Sequence, residues 1–478
     1  MRRLSGSDAI FLSTETPTGH MHVGGLVLLD PSDVPDFSFA ALRDETAARI
    51  HRVPKFTWKL KEVPFGLDRP VWVDEPDFDP ADHMHRVALP PPRTLRELGE
   101  LVGDIMGHPL DRRRPLWELW YIEGLKGDKV ALAMKAHHCL IDGVSGMGLA
   151  EILVDLEPDP PPAEPGPTKP AGRTERAPGD LELVARGLIP TARTPLRIAR
   201  YATQAARRGV AMLPHLRRDD GPPGLADAPP TPWNAPISPR RRLAFASVPL
   251  DDVKTIRKRA DVKVNDVILA ICAGALREYL LSIGEHPDKP LITAVPISTR
   301  AEGDQTTGNQ VANMMASLAT DIDDPAERLQ AIYRSTRSAK EMTAAVRAHD
   351  IQALGETAPP LVINLASRAM VATNLLGRMP QPTNVVISNV PGPPMPLYTC
   401  GARITALYPT GPFILNLGLN ITVISYTGSV DFGFNADPEL VPDLWSMVDG
   451  IPRALDELKA ALNLDKAKRK TTRRRAHA

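Results

Sequence analysis

Two proline-rich stretches constrain this chain more than any other feature. The first, "EPDPPPAEPGPTKPAGRTERAPGD" from Glu157 to Asp180, holds eight prolines, and the second, "DDGPPGLADAPPTPWNAPISP" from Asp219 to Pro239, holds seven. Proline fixes φ and has no N–H to donate, so neither stretch suits a helix interior or a central strand. Both read as linkers that build no packed core. They divide the chain into an N-terminal domain (1–156), a proline-rich linker region (157–240), a C-terminal domain (241–465) and a basic tail (466–478) expected to be disordered. A length of 478 residues accommodates two or three domains of roughly 100–200 residues each.

Both domains mix the two hydrophobic periods. "HVGGLVLLD", "RPVWVDE" and "KVALAMKAHH" predict strands in the first, and "TLRELGELVGDIM" predicts a helix opened by a Thr94–Glu97 capping box. In the second, "RLAFASVPL", "PLITAVPIS" and "TNVVISNV" predict strands, and "GLNITVISYTGSVDFGFNAD" predicts a hairpin turning at Thr427-Gly428. "NDVILAICAGALREYLL" and "PDLWSMVDGIPRALDELKAAL" predict helices. The class is α/β, with mixed sheets flanked by helices.

A formal net charge of +0 argues against a nucleic-acid partner for the chain as a whole. Charge is uneven, however. Between the linkers, "LELVARGLIPTARTPLRIARYATQAARRGVAMLPHLRR" carries eight arginines against the lone Glu182, and the tail holds "KAKRKTTRRR". The first reads either as a solvated connector or as a basic amphipathic segment for an anionic lipid surface. Three scattered cysteines suit a reducing compartment rather than a disulfide framework. The start "MRRLSGSDAIFLSTE" has no apolar stretch of the signal-peptide kind, and the longest apolar run, Val267 to Leu276, is too short for a bilayer. A cytoplasmic protein, peripheral at the inner membrane face or on lipid droplets, is expected.

The chemistry concentrates in "HHCLIDGVSG", His137 to Gly146. Three readings compete: a metal site, a strand end with incidental polar groups, and an acid–base site. Neighbouring strand residues point to opposite faces, so His137 and His138 cannot easily share one ion, and no metal is expected. A polar strand end remains open on these residues alone. The acid–base reading uses more of the parts. An outward His138 takes a proton, an inward His137 positions the loop, Asp142 braces the turn or pairs with an arginine, and Gly143 turns tightly and leaves room for substrate. With a pKa near the ordinary ~6.5, His138 would suit proton transfer. The chain lacks Gly-x-Ser-x-Gly, the P-loop pattern and Gly-x-Gly-x-x-Gly. Acyl-enzyme, nucleotide and NAD chemistry are therefore disfavoured, and direct transfer without a protein nucleophile is favoured.

"HHCLIDG" resembles the His-His-x-x-x-Asp-Gly signature of the coenzyme-A-dependent, chloramphenicol-acetyltransferase-like superfamily. With "LSGSDAIFLSTETPTGHMHVGGL", "PVWVDEPDFDPADHMHRVALP", "HPLDRRRPLWELW", "VNDVILAICAGALREYL", "ISNVPGP" and "LNITVISYTGSVDFGFNADP", nearly the whole chain resembles the bacterial wax ester synthase/diacylglycerol acyltransferase family. The resemblance implies two chloramphenicol-acetyltransferase-like domains with an active-site channel at their interface. It also implies long-chain acyl-CoA as co-substrate, no separate cofactor, and diacylglycerol or a fatty alcohol as acceptor. His138 would be the general base and Asp142 architectural, paired with an arginine for which Arg300 is the candidate. Asn265 is a candidate oxyanion donor, with the competing role of N-cap to "DVILAICAGAL". "SNVPGP" reads as a strand end and proline-fixed turn, and Gly433 as a site of close approach.

A non-catalytic lipid-binding or lipid-droplet surface protein is the alternative class, against which the intact His138–Gly143 signature counts. A condensation-type acyltransferase acting on a polyketide lipid is the alternative enzyme. Removing Lys466 to Ala478 is expected to weaken sedimentation with anionic liposomes, more so at low salt. Unchanged sedimentation at low salt would remove the tail's role.

Overall fold

The computed structural model describes residues 2–141, 152–161, 178–185, 223–224, 226–298, 311–345, 373, 381–413 and 416–464. A small antiparallel sheet has β1 (Arg2–Arg3) and β3 (Trp58–Lys61) on either side of β4 (Val71–Asp74). Two six-stranded mixed sheets carry the rest. The first contains β2 (His22–Asp30), β5 (Met84–Ala88), β6 (Trp117–Glu123), β7 (Val130–His137), β12 (Tyr398–Thr399) and β13 (Ala402–Thr410), in the order β12-β13-β2-β7-β6-β5. The second contains β8 (Arg242–Pro249), β9 (Ile292–Ser298), β10 (Val311–Ser317), β11 (Val385–Val390), β14 (Leu419–Tyr426) and β15 (Ser429–Ala436), in the order β10-β9-β11-β14-β15-β8.

β7 is buried at all eight positions, which explains its near-continuous apolar sequence. One face, with Leu132, Met134 and Ala136, joins a core with Trp117 and Leu119. The other, with Ala131 and Ala133, packs under α3 (Leu95–Gly107). The capping box opens α3: Glu97 Oε2 accepts from the Thr94 N–H at 2.8 Å. Leu98, Val102, Ile105 and Met106 then form its buried stripe. In the second half, α5 (Val264–Ser282) is apolar nearly all round and sits inside the largest core. The first helix, α1 (Gly6–Thr14), precedes β2, and α2 (Phe39–Arg49) follows it. α4 (Leu250–Ala260) leads into α5, and α6 (Pro325–Ala345) and α7 (Leu444–Ala461) follow it along the chain.

Two findings correct the linear division of the chain. Residues 226–239 are no coreless linker. Trp233 is fully buried in the second core, and its indole N–H donates to the Asn384 carbonyl at 2.7 Å. Proline density opposes helices and strands, but it does not prevent one large ring from docking. Burying that ring contributes on the order of 4–6 kcal/mol before ordering is charged against it. The sheets, moreover, do not respect a boundary at 241. β13 returns from the second half and pairs antiparallel with β2, Arg403 opposite Asp30 through Thr410 opposite Gly24.

The halves also meet through α3 and β8. A Cβ on Gly99 would stand 2.1 Å from the Leu243 carbonyl oxygen, and one on Gly103 would stand 2.4 Å from that of Arg241. Gly433 in β15 meets the Pro409 oxygen of β13 at 1.9 Å by the same measure, a close backbone approach between sheets. Among the described residues, no helix is long and apolar enough to cross a membrane.

Gly99→Ala separates two opposed effects. Helix propensity alone favours alanine by about 1 kcal/mol, whereas the backbone contact imposes overpacking worth about 1–3 kcal/mol. The contact should win, and thermal denaturation should show a lowered Tm; a raised Tm would show that α3 and β8 are not locked in this way.

Candidate active site

The last residue of β7, His137, is 2% exposed and lies directly opposite His22 of β2. His138 follows in a turn, partly exposed, with its N–H donating to the Met21 carbonyl at 2.8 Å. The two imidazoles therefore occupy different environments. The His138 ring stacks on Phe11 of α1, with centroids 3.9 Å apart and planes 16° from parallel. His137 Nδ1 accepts from the Cys139 N–H at 3.1 Å. That bond places the neutral ring's proton on Nε2, which faces Glu15 Oε2 at 3.7 Å.

Phe11 and Glu15 reach the pair from one short element. Ser5 caps α1 by accepting from the Asp8 N–H at 3.0 Å, and Glu15 occupies its C-cap. Positions 11 and 15, four apart, share a face. One element thus supplies the ring against His138 and the carboxylate behind His137.

Glu15 is the electrostatic centre of this cluster. Arg112 Nη2 donates to its Oε2 at 2.5 Å, and His20 Nδ1 lies 3.6 Å from Oε1. Burial pushes the carboxyl's pKa up, but the facing His137 and His20 imidazoles and the Arg112 guanidinium outweigh it and hold the pKa far below the ordinary range. His22 goes the other way. Burial, with the Lys135 ammonium nearby, keeps it neutral, and its Nδ1 lies 3.2 Å from the Met106 carbonyl in the last turn of α3. Burial likewise lowers His138 to about 4, with His137 adding to the effect. This corrects the expectation of an ordinary pKa near 6.5, which sequence position alone cannot adjust for burial. Burial raises the Cys139 thiol well above its usual value, so it is not poised as a nucleophile.

A cleft of about 670 Å³ opens beside the cluster, lined among others by Glu15, His20, Gly107, Arg112, Pro239 and Arg241. It lies where α3 ends against the start of β8, so both halves of the chain form its walls. Donor atoms of Glu15, His20 and His22 lie within 4.8 Å of one another. Arg112 already supplies positive charge to that carboxylate.

Asp142, Gly143 and Arg300 lie outside the described residues. Asn265 does not cap its helix: α5 begins at Val264 with Lys263 as N-cap, so Asn265 sits in the first turn. The carboxylate of Asp266 takes the capping part, accepting from the Lys263 N–H at 2.9 Å and from Thr336 Oγ1 at 2.7 Å. Asn265 Oδ1 instead accepts from Asn389 of "SNVPGP" at 3.2 Å. Phe11, Glu15, His20, His22 and Arg112 were not singled out by sequence reasoning. A signal did exist, since His20 and His22 stand two apart at the entry to a strand and so share a face.

Comparison with known proteins places this geometry. Residues 4–268 match the family model of the wax ester synthase/diacylglycerol acyltransferase catalytic domain, and residues 307–459 match that of the WS/DGAT C-terminal domain. A putative diacylglycerol O-acyltransferase of Mycobacterium tuberculosis is 38% identical over 464 residues, covering 96% of this chain and 90% of the relative. A probable diacylglycerol O-acyltransferase of the same species is 34% identical over 465 residues, covering 96% and 99%. The solved wax ester synthase/diacylglycerol acyltransferase from Marinobacter aquaeolei superposes with a TM-score of 0.71 at 31% identity, covering 97% of this chain and all of that one. The first condensation domain of the calcium-dependent antibiotic synthetase shares the fold, with a TM-score of 0.55 at 14% identity over 96% of this chain and 97% of its own. Because the match follows both halves and the strands that join them, the chain belongs to the wax ester synthase/diacylglycerol acyltransferase family.

Proposed function

We propose that this protein transfers a long-chain acyl group from acyl-CoA to the hydroxyl of diacylglycerol, releasing triacylglycerol and free coenzyme A. A fatty alcohol, giving a wax ester, is the second acceptor that the same chemistry serves. The carrying observation is the His138 imidazole, held neutral at a strand end and stacked on Phe11. The family membership and the names of the relatives support the substrate class.

In this reading His138 takes the proton of the acceptor hydroxyl as its oxygen attacks the thioester carbonyl. The tetrahedral oxyanion collapses, the C–S bond breaks, and the proton passes to the departing thiolate. His137 does not contact the reacting atoms. It transmits the position of Glu15 to the turn that carries His138. Asp142 and Gly143 complete the loop, with Arg300 as the proposed partner of Asp142 and Asn265 as a proposed oxyanion donor. No cofactor beyond the co-substrate is required. Because the acceptor is a membrane lipid, the protein works peripherally at the cytoplasmic membrane face or on lipid droplets.

Labelled palmitoyl-CoA offered with diacylglycerol and with hexadecanol in parallel tests the reaction and ranks the acceptors. His138→Ala should remain folded and lose ~10²–10⁴-fold in turnover, the usual worth of a general base; turnover near the parental rate would refute this mechanism. The pH profile of kcat/KM gives a second test. A base is active above its pKa, so the acid limb should fall near pH 4. At about pH 5.5 an imidazole of ordinary pKa would retain roughly a tenth of its neutral form, whereas His138 should stay almost wholly neutral. Glu15→Gln should lower kcat roughly 10–100-fold with little change in KM, since it removes the negative charge that faces His137 at 3.7 Å, and about 1.4 kcal/mol of lost stabilisation is tenfold in rate. A loss confined to KM would instead place Glu15 in substrate binding.

A further inference from the structure

The hairpin between β3 and β4 turns through Pro64, Phe65 and Gly66, and its tip is unusual. Phe65 is 85% exposed and adopts φ +61°, a left-handed conformation that bulky residues avoid. The hairpin therefore holds an aromatic ring out in solvent in a strained conformation. A second large apolar residue, Leu181, is 87% exposed. Its segment is fixed to the same hairpin. Leu183 packs with Val63, Val71 and Val73 in a small core, and Asp180 pairs with Lys61 at 3.0 Å.

The charges in the sequence indicate what such a platform meets. The sheet's own cations are matched: Arg2 by Asp74, Arg3 by Asp68 and Lys59 by Glu75. Beyond Ala185 the sequence carries eight arginines from Arg186 to Arg218 and no acidic residue before Asp219. Two apolar tips, one of them on a segment that runs on in sequence into a strongly cationic stretch, match the composition of surfaces that insert shallowly among anionic headgroups. The platform also adjoins the cleft. Glu62, three residues before Phe65, lies 3.4 Å from Arg112, the residue that binds Glu15. Three residues of extended chain span at most about 10 Å.

We infer that Phe65 and Leu181 form an interfacial docking surface that seats the protein on an anionic phospholipid bilayer, with the Arg112 side of the cleft toward the lipid. The inference rests on the reading of the protein as an acyltransferase of lipid alcohols, since it gives a membrane-dissolved acceptor a short path to the cleft.

The test uses the full chain and a Phe65→Ser/Leu181→Ser variant, with vesicles of phosphatidylcholine containing phosphatidylglycerol and of phosphatidylcholine alone. The parent should partition onto the anionic vesicles, and the variant should bind them at least about tenfold more weakly. Turnover of diacylglycerol presented in vesicles should fall in step, while turnover of a water-soluble short-chain alcohol stays at the parental rate. Equal partitioning of parent and variant overturns the inference. So does a parent that self-associates through this patch, seen as a variant that loses only its dimer in sedimentation. If the parent turns over neither acceptor, the acyltransferase reading fails, and vesicle partitioning still decides the docking surface independently.

Discussion

The approach of α3 to β8 governs the rest of this structure. Three glycines, four residues apart, line the helix where it meets the other half of the chain. The space a Cβ would find widens along them, from 2.1 Å at Gly99 to 2.4 Å at Gly103 and 3.0 Å at Gly107. The helix therefore touches backbone at its beginning and diverges toward its end. The gap opened by that divergence is the cleft lined by Gly107, Pro239 and Arg241. Arg241 fixes its rim by donating to the carbonyls of Ser238 and Arg240 and, across the seam, to that of Thr18. Any side chain at Gly99 or Gly103 would push the halves apart and change the cleft by moving its walls.

Within that frame, the proposed role of His138 as a base sets two demands against each other, keeping the ring neutral and letting it accept charge. Burial ensures that His138 is unprotonated at ordinary pH. The same burial opposes the imidazolium that forms as a proton is taken. Glu15 places a permanent negative charge behind the pair, kept ionised by Arg112 and the imidazoles. His22, being neutral, adds no competing positive charge. The cluster supplies a fixed field in a site of low polarity, where such fields act most strongly.

Local structure was legible in the sequence wherever a local rule decides it. The capping box of α3, the β14–β15 hairpin and the apolar α5 all follow from period, capping or turn chemistry. The His137–His138 pair was legible for a similar reason, because strand alternation alone sends neighbours to different environments. What was not legible depends on register and order across the sheet. Glu15, His20, His22 and Arg112 converge only because β2 pairs with β7 in the register that sets His22 against His137. The pairing of β13 with β2 joins residues almost 400 positions apart, and no local pattern encodes it. Trp233 was hidden differently. Its prolines announce what the backbone cannot form, and nothing local in the sequence announces the docking of the ring among them.

The crossover strand also explains why the two halves act as one. β13 pairs with β2 on one side, and its Leu407 N–H donates to Asp431 of β15 at 3.1 Å. Tyr408, from the same strand, lies 3.1 Å from Ser247 of β8 through its hydroxyl, and its ring stacks on Phe245 at 4.9 Å. One strand thus holds both the sheet that positions the imidazoles and the sheet that forms the far wall of the cleft. A core spanning the seam, with Leu243, Phe245 and Tyr408 packed against Leu98 and Val102, leaves little freedom for the halves to hinge apart around it. Among the described residues, the cleft at the diverging end of α3 opens on the Glu15 and His20 side of the histidine cluster, with walls that this packing holds in place.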